Sequence, residues 1–167
     1  HSIESAKEFT DELTQEKHIS ARPLAFDLGN PSSLEDLVSS VIEEAGRIDV
    51  FVHCSRILPK GDGGLGWFQD EKQMEEGVRA NTAASLYLTS LVGKQMIKQK
   101  SGSIILFGSM MGLVGVEEHN YDGNPDMAAG AFGHIYALDK SGVTAWVRHA
   151  ASYYGQYGVR INAVCPG

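Results

Sequence analysis

The chain has 167 residues, of which 43% are hydrophobic and 21% are charged, and it carries a net charge of −7. This length predicts one domain, and the composition is typical of a soluble globular protein rather than a disordered or fibrous one. The acidic balance argues against nucleic acid or an anionic membrane as the main partner, because both are bound by clustered Lys and Arg. No apolar run approaches the roughly 18 residues of a membrane span. Two cysteines are too few for a disulfide framework, so we expect a reducing, cytoplasmic location.

Helical and strand patterns alternate along the chain. In chain order, apolar periodicity predicts a helix and then a strand, four times over, at residues 4–17, 22–26, 31–45, 48–54, 70–100, 103–107, 131–157 and 159–164. Strands separated by helices indicate βαβ units. We therefore expect an α/β fold with a parallel sheet and helices on both of its faces, in a single domain over residues 1–167.

Local signals predict several element ends. Ser32 and Glu35 have capping-box spacing at the start of the second helix, and Gly46 is a natural terminator for it. Gly77 predicts an interruption of the long third helix. The strand over 48–54 is almost continuously apolar, which is typical of strands buried on both faces of a parallel sheet.

Parallel sheets bind ligands beyond the carboxyl ends of their strands. The segments at those ends are residues 27–31, 53–69, 108–130 and 165–167. One of them contains Gly61, Gly63 and Gly66, which fit Gly-x-Gly-x-x-Gly. Residues 55–60 separate these glycines from the preceding strand, so we interpret the segment as a loop rather than a dinucleotide motif. The His and Cys residues lack zinc-type spacing, so we expect no metal site.

Tyr136 and Lys140 lie four residues apart on the last predicted helix and therefore share one face of it. A free phenol, with a pKa of about 10, is a poor base at neutral pH. A nearby ammonium stabilises the phenolate, so the pair is suited to acid/base catalysis. Ser109 follows a buried strand, and Asn81 lies in a helix although Asn is disfavoured there. Either residue could serve a catalytic site. The alternative for Ser109 is an ordinary turn residue, and the alternative for Asn81 is a helical residue that faces solvent.

The order of these residues resembles the short-chain dehydrogenases/reductases. The matching segments are Phe26-Asp27-Leu28, Ile48 to Val52, Asn81, Gly102 to Ser109, Tyr136 to Lys140 and Tyr157 to Gly167. The resemblance implies a Rossmann-like doubly wound parallel sheet. It also implies hydride transfer between NAD or NADP and the alcohol or ketone form of a small-molecule substrate.

The same resemblance assigns a catalytic tetrad. Tyr136 would donate or accept the proton of the substrate oxygen, while Lys140 tunes it and holds the nicotinamide ribose. Ser109 would orient the carbonyl or carbinol, and Asn81 would anchor a water that links Lys140 to solvent. Cofactor contacts are implied for Asp27, Leu28, Cys54, Ser55, Tyr136, Lys140, Pro166 and Gly167.

Two departures from the family pattern stand out. The glycine-rich turn and the first two strands of the family's sheet are absent, as is the segment after Gly167. We therefore expect a sheet that is incomplete at both chain ends and an internal stretch of a longer protein. Where the family has Asn-Asn-Ala-Gly, this chain has His53-Cys54-Ser55-Arg56. We expect cofactor binding to be retained; the alternative is a non-catalytic scaffold or binding domain that has lost it.

Two further expectations concern the substrate and the assembly. The long stretch between Ser109 and Tyr136 is rich in acidic, hydroxyl and amide side chains, which suits a sugar-like substrate, although a solvated loop is an equal alternative. The family pairs the third and fourth predicted helices between subunits, so a homodimer or homotetramer is implied. Trp146, Ala150 and Tyr153 would pack in that interface or, alternatively, in the core of one subunit.

Overall fold

A computed structural model describes residues 3–57, 70–115, 117, 119 and 134–167. Helices and strands alternate in these residues, which confirms the predicted α/β fold. In chain order the elements are α1 (Ile3–Lys17), α2 (Pro31–Ala45), β1 (Val50–His53), α3 (Glu71–Gly77), a π-helical segment (Val78–Ala83), α4 (Ala84–Gln99), β2 (Gly102–Phe107), a 3-10 turn (Met110–Gly112), α5 (His134–Gly155) and β3 (Val159–Val164).

The three strands form one parallel sheet in the order β1-β2-β3. Phe51, Ile104 and Ile161 are in register across it, and the two isoleucines are buried in a core shared with α4 and α5. Helices connect successive strands, as parallel pairing requires. Because the strands are parallel, the loops that follow them lie side by side at one edge of the sheet.

The opposite face of the sheet is open within the described residues. Val52, Ile105 and Asn162 are in register on this face. Val50 is 60% exposed and Val52 is 49% exposed. The prediction that the apolar strand over 48–54 is buried on both faces is therefore wrong for the described residues, in which β1 is an edge strand of the sheet.

Residues 22–26, predicted as a strand, are irregular in the structure. A strand is stabilised by hydrogen bonds to a neighbouring strand, and the described sheet ends at β1. Local β propensity without a pairing neighbour does not produce a strand, which explains why this prediction is wrong.

The helix ends follow the sequence signals with one exception. Asn30, not a box formed by Ser32 and Glu35, caps α2: its side-chain oxygen accepts from the Ser32 N–H at 3.1 Å. Gly46 ends that helix with φ 72°, as predicted. The interruption near Gly77 is confirmed, because the π-helical segment begins immediately after it.

Two predicted features involve residues that the structure does not cover. The glycine-rich segment around Gly63 and most of the long stretch before Tyr136 lie outside the described residues. Within the described ranges, no helix is both long and apolar enough to cross a bilayer. Those ranges also contain no group of three or more His, Cys, Asp or Glu side chains placed to hold a metal.

Candidate active site

Tyr136 and Lys140 lie one turn apart on α5, as their spacing predicts. The Lys140 ammonium donates a hydrogen bond to the carbonyl oxygen of Phe107 at 2.7 Å, at the carboxyl end of β2. The same nitrogen lies 5.8 Å from the centre of the Tyr136 ring. The α5 helix therefore brings a phenol and an ammonium to the carboxyl ends of the strands, the side on which parallel sheets generally bind ligands.

The Lys140 ammonium is half-buried, and this burial lowers its pKa from the ordinary value. Tyr136 opposes that shift, Arg56 adds to it by repulsion, and Asp139 and Cys165 oppose it by attraction. The ammonium thus sits among charges of both signs, and its proton is easier to remove than that of an exposed lysine.

Ser109 lies in the turn that follows β2 and is buried. Its hydroxyl oxygen accepts from the Met111 N–H at 3.2 Å, which leaves the hydroxyl proton free to be donated. The turn packs tightly on α5, because a Cβ on Gly112 would lie 2.5 Å from the carbonyl carbon of Lys140. This close approach sets the position of Ser109 relative to the Tyr136–Lys140 pair.

The loop after β3 is tied to the same turn. The Met110 N–H donates to the carbonyl oxygen of Pro166 at 2.9 Å, and the Gly108 N–H donates to Val164 at 2.8 Å. Pro166 and Gly167, predicted as cofactor contacts, therefore lie beside the Ser109 turn.

Asn81 lies in the π-helical segment, and its side chain is buried rather than facing solvent. Its Nδ2 donates to the carbonyl oxygen of Ile57 at 3.0 Å, and its Oδ1 accepts from the Ile57 N–H at 2.8 Å. Its main-chain carbonyl accepts from the Ser85 hydroxyl. Asn81 thus holds the loop after β1 against the helices; π-helical turns of this kind are frequent at functional sites.

His53 is buried at the end of β1, with its Nε2 2.7 Å from the Ser85 hydroxyl oxygen. Burial lowers its pKa to about 4, and the charge of Lys140 acts in the same direction. The imidazole is therefore neutral at physiological pH. In the sequence His53 stands out as a departure from the family pattern and lacks zinc-type spacing, and neither observation predicts this contact.

Asp139 is a further residue that the sequence analysis missed. Its side chain is 4% exposed, and the Thr82 hydroxyl donates to its Oδ1. Its Oδ2 is buried without a hydrogen-bond partner in the described residues. Burial raises its pKa, while Thr82, Arg56, Lys140 and Asn81 oppose the shift. Its place directly before Lys140 on α5 was the only sequence signal for it.

Arg56 lies across the ring of Tyr136, with its guanidinium carbon 4.2 Å from the ring centre. Burial lowers the pKa of this guanidinium, and attraction to Tyr136 and Asp139 opposes the shift. At this distance the contact is a cation–π interaction. The chain therefore places two cations, Arg56 and Lys140, around one phenol.

Two cavities meet at Arg56. One, of about 480 Å³, brings together the predicted cofactor contacts Asp27, Leu28 and Ser55. The other, of about 20 Å³, is lined by polar groups that include Cys54. The Asp27 carboxylate also accepts from the Gly29 N–H at 2.8 Å, which orients it in its turn. The described loops thus gather most of the predicted site residues along one edge of the sheet.

Comparison with known proteins gives a consistent result. The family model described as enoyl-(acyl carrier protein) reductase matches residues 2–167. The 7alpha-hydroxysteroid dehydrogenase of Bacteroides fragilis is 28% identical over 100% of this chain and 59% of its own length. The sorbitol-6-phosphate 2-dehydrogenase of Klebsiella pneumoniae is 24% identical over 84% of this chain and 50% of its own length.

Solved structures share the fold. A metagenomic short-chain oxidoreductase crystallised in complex with NADP is 23% identical, with a TM-score of 0.80 over 99% of this chain and 67% of that one. The chain spans about half the length of the curated relatives it matches.

Proposed function

Because the chain belongs to the short-chain dehydrogenase/reductase family, we propose that it transfers a hydride between NAD or NADP and a small molecule that interconverts between an alcohol and a ketone. The observation that carries this proposal is the placement of Tyr136 and Lys140 on one face of α5, with the ammonium bonded to the end of β2. Ser109 and Asn81 hold the two adjoining loops at the same edge.

In this proposal Tyr136 exchanges a proton with the substrate oxygen. During reduction the phenol donates its proton to the carbonyl oxygen, and during oxidation the phenolate accepts the proton of the alcohol. The Lys140 ammonium stabilises the phenolate. The Ser109 hydroxyl, whose proton is not used by Met111, donates to the substrate oxygen and orients it. Asn81 is proposed to anchor a water that links Lys140 to solvent.

The groups around the larger cavity suit a nicotinamide dinucleotide. A carboxylate and a hydroxyl, from Asp27 and Ser55, line about 480 Å³, and such groups match the hydroxyls of a ribose. We place the cofactor against these residues and Leu28, Cys54, Pro166 and Gly167, with Tyr136 and Lys140 at its ribose. When bound, the cofactor supplies or takes the hydride.

The substrate class is proposed to be sugar-like. Glu117 and His119, in the stretch between Ser109 and Tyr136, are exposed and lie within ion-pair distance, at 3.2 Å. Carboxylate and imidazole groups of this kind suit a polyhydroxy molecule, and one relative is named for a sugar phosphate, sorbitol 6-phosphate.

The proposed assembly is a homodimer or homotetramer formed through α4 and α5. A surface cavity of about 560 Å³ between these helices is lined by side chains that include Trp146 and Tyr153, and Tyr153 is exposed. For Ala150 the interface and the core of one subunit were the two alternatives, and this residue is buried in the core of the described chain. We also propose a cytoplasmic location, in keeping with the free thiols of Cys54 and Cys165.

A Tyr136→Phe variant tests the catalytic assignment. Loss of the hydroxyl should lower kcat by at least about a hundredfold, the usual scale of acid/base catalysis. The affinity for NADH, measured by quenching of the fluorescence of Trp67 and Trp146, should stay close to that of the wild type. Tyr87→Phe is the matched control, because the Tyr87 hydroxyl bonds to Glu35 away from this edge. Turnover by Tyr136→Phe at the wild-type rate would sink the assignment.

The competing function is a non-catalytic binding domain. The observation that favours it is the Arg56 guanidinium over the Tyr136 ring, where the family has a glycine. In this alternative the chain has lost dinucleotide binding, so a protein that neither binds NADH nor oxidises it with any carbonyl compound would support it over the enzyme.

A further inference from the structure

The charges around Tyr136 are not balanced. Arg56 lies 4.2 Å from the ring centre and Lys140 lies 5.8 Å from it. The carboxylate that attracts both of them is Asp139, which is buried and bonded through one oxygen to Thr82. Among the described residues, two cations and one carboxylate leave a net positive charge beside the proposed reacting hydroxyl.

The two cations differ in whether their donors are used. The Lys140 ammonium donates to the Phe107 carbonyl at 2.7 Å. The Arg56 guanidinium contacts the Tyr136 ring, but it makes no hydrogen bond and no ion pair with the described residues. A guanidinium carries five N–H donors, and contact of its face with a ring leaves the donors at its edge for another group.

Arg56 is exposed to solvent, and it lines both the cavity of about 480 Å³ and the smaller one beside Lys140. An anion that enters either cavity can therefore reach the unused donors at the edge of the guanidinium. A hydrogen bond between a charged donor and a charged acceptor is about twice as strong as one between neutral groups.

We propose that Arg56 binds an anionic group, a carboxylate or a phosphate, carried by the substrate that reacts at Tyr136. This inference rests on the proposed hydride-transfer function and narrows its substrate to an anionic alcohol or ketone. Because Arg56 touches the Tyr136 ring, the anionic group lies only a few bonds from the reacting carbon. A phosphate of the dinucleotide has the same chemistry and is the other possible source of the anion.

Binding of inorganic phosphate, followed by broadening of its ³¹P resonance, tests the site directly. The purified full-length protein is titrated free, saturated with NADH and saturated with NADPH. We expect saturable broadening in the presence of NADH, its loss in Arg56→Gln, and its retention in Arg148→Gln, an exposed arginine on α5. Equal broadening in wild type and Arg56→Gln, or none in the wild type, would overturn the proposal.

The titrations of the protein saturated with NADH or with NADPH distinguish the two sources of the anion, substrate and cofactor. If either dinucleotide displaces phosphate, and Arg56→Gln weakens the affinity for that dinucleotide by about tenfold, Arg56 serves the cofactor. That result would overturn the assignment to the substrate. Phosphate that remains bound beside NADH supports it.

Kinetics with acetoacetate and its methyl ester provide a second test, because the two ketones differ in the anionic group. Arg56→Gln should raise the KM for acetoacetate by about tenfold or more and leave kcat/KM for the ester nearly unchanged. Arg56→Lys, which keeps the charge but loses the two-pronged donor, should give an intermediate KM. An equal loss on both ketones would contradict an anion-binding role.

The outcomes also separate this inference from the proposed function. A protein that binds phosphate through Arg56 but transfers no hydride to any carbonyl compound would refute the function and leave the anion site in place. A protein that reduces neutral ketones well, and whose phosphate binding and KM for acetoacetate are unchanged by Arg56→Gln, would refute the anion site and leave the proposed function in place.

Discussion

The Lys140 ammonium bonds to the carbonyl oxygen of Phe107, the last residue of β2, at 2.7 Å. This bond joins α5 to the sheet at its carboxyl edge and holds the cation near the Tyr136 ring. A structural contact and a proposed catalytic role therefore belong to the same nitrogen atom, and substitutions have to separate the two.

Lys140→Met should lower kcat by at least about a hundredfold, because the phenolate of Tyr136 loses its stabilising charge. In the wild type, burial lowers the pKa of Lys140. As the pH rises through this lowered pKa, the Lys140 ammonium loses its proton and its charge, so kcat should fall at high pH. Lys140→Arg keeps its charge and should move this fall to higher pH. A pH–rate profile identical in wild type and Lys140→Arg would contradict the role.

The buried His53 should make folding stability depend on pH. Its pKa is about 4 in the folded chain, against an ordinary value of 6.5. The unfolded chain therefore binds the proton first as the pH falls. The contribution of His53 to the free energy of unfolding should be fully present above about pH 6.5. It should be lost progressively as the pH falls from 6.5 to 4, which lowers the free energy of unfolding by at most about 3 kcal/mol.

Urea unfolding at several pH values measures this effect. His53→Asn should flatten the dependence in that interval, whereas His149→Asn, at an exposed position on α5, should leave it unchanged. An unaltered pH dependence in His53→Asn would show that another group is responsible.

The contact of Thr82 with Asp139 joins the π-helical segment to α5. Thr82→Val removes the donor to Oδ1, and the other oxygen of this carboxylate already lacks a partner in the described residues. The free energy of unfolding should fall by about 1–3 kcal/mol, because a buried acceptor is left unsatisfied. Thr82→Ser keeps the hydroxyl, so its free energy of unfolding should fall less than that of Thr82→Val. Equal stability of Val and Ser variants would exclude the hydrogen bond as the cause.

Gly112 should not tolerate a side chain. A Cβ there would lie 2.5 Å from backbone atoms of Lys140, which cannot move aside without shifting α5. Gly112→Ala should therefore destabilise the fold by about 1–3 kcal/mol and lower kcat by displacing Ser109. Gly115→Ala is the matched control, since a Cβ on Gly115 has no neighbour within 4 Å among the described residues. Thermal unfolding and turnover of both variants provide the comparison.

Features with a local cause were predictable from the sequence. The helical spacing of Tyr136 and Lys140, the terminator Gly46 and the extent of β3 depend on neighbouring residues, and the structure has all three. The alternation of helical and strand patterns predicted the α/β fold, and the resemblance to a known family predicted its Rossmann-like form.

Features with a distant cause were not predictable. The strand expected at 22–26 needs a pairing neighbour, and the exposure of Val50 depends on what covers the sheet rather than on how apolar the strand is. The burial of Asp139 depends on Thr82, which is 57 positions away along the chain. Arg56 was noted as a departure, but only the fold shows that it reaches the Tyr136 ring.

The π-helical segment takes up one residue without changing the phase of its neighbours. Its i→i+5 bonds enclose one residue more than the i→i+4 bonds of an α-helix, so α3 and α4 keep nearly the phase of one continuous helix. That phase matters at Gly77, which lies so close to Ile135 that a Cβ would come within 2.7 Å of that side chain. Removing one residue between Val78 and Ala83 should therefore rewind the turn as α-helix and keep this contact with α5, while it removes the wide turn that carries Asn81. The same deletion in the middle of α4 would instead rotate the two ends of that helix by about 100° relative to each other.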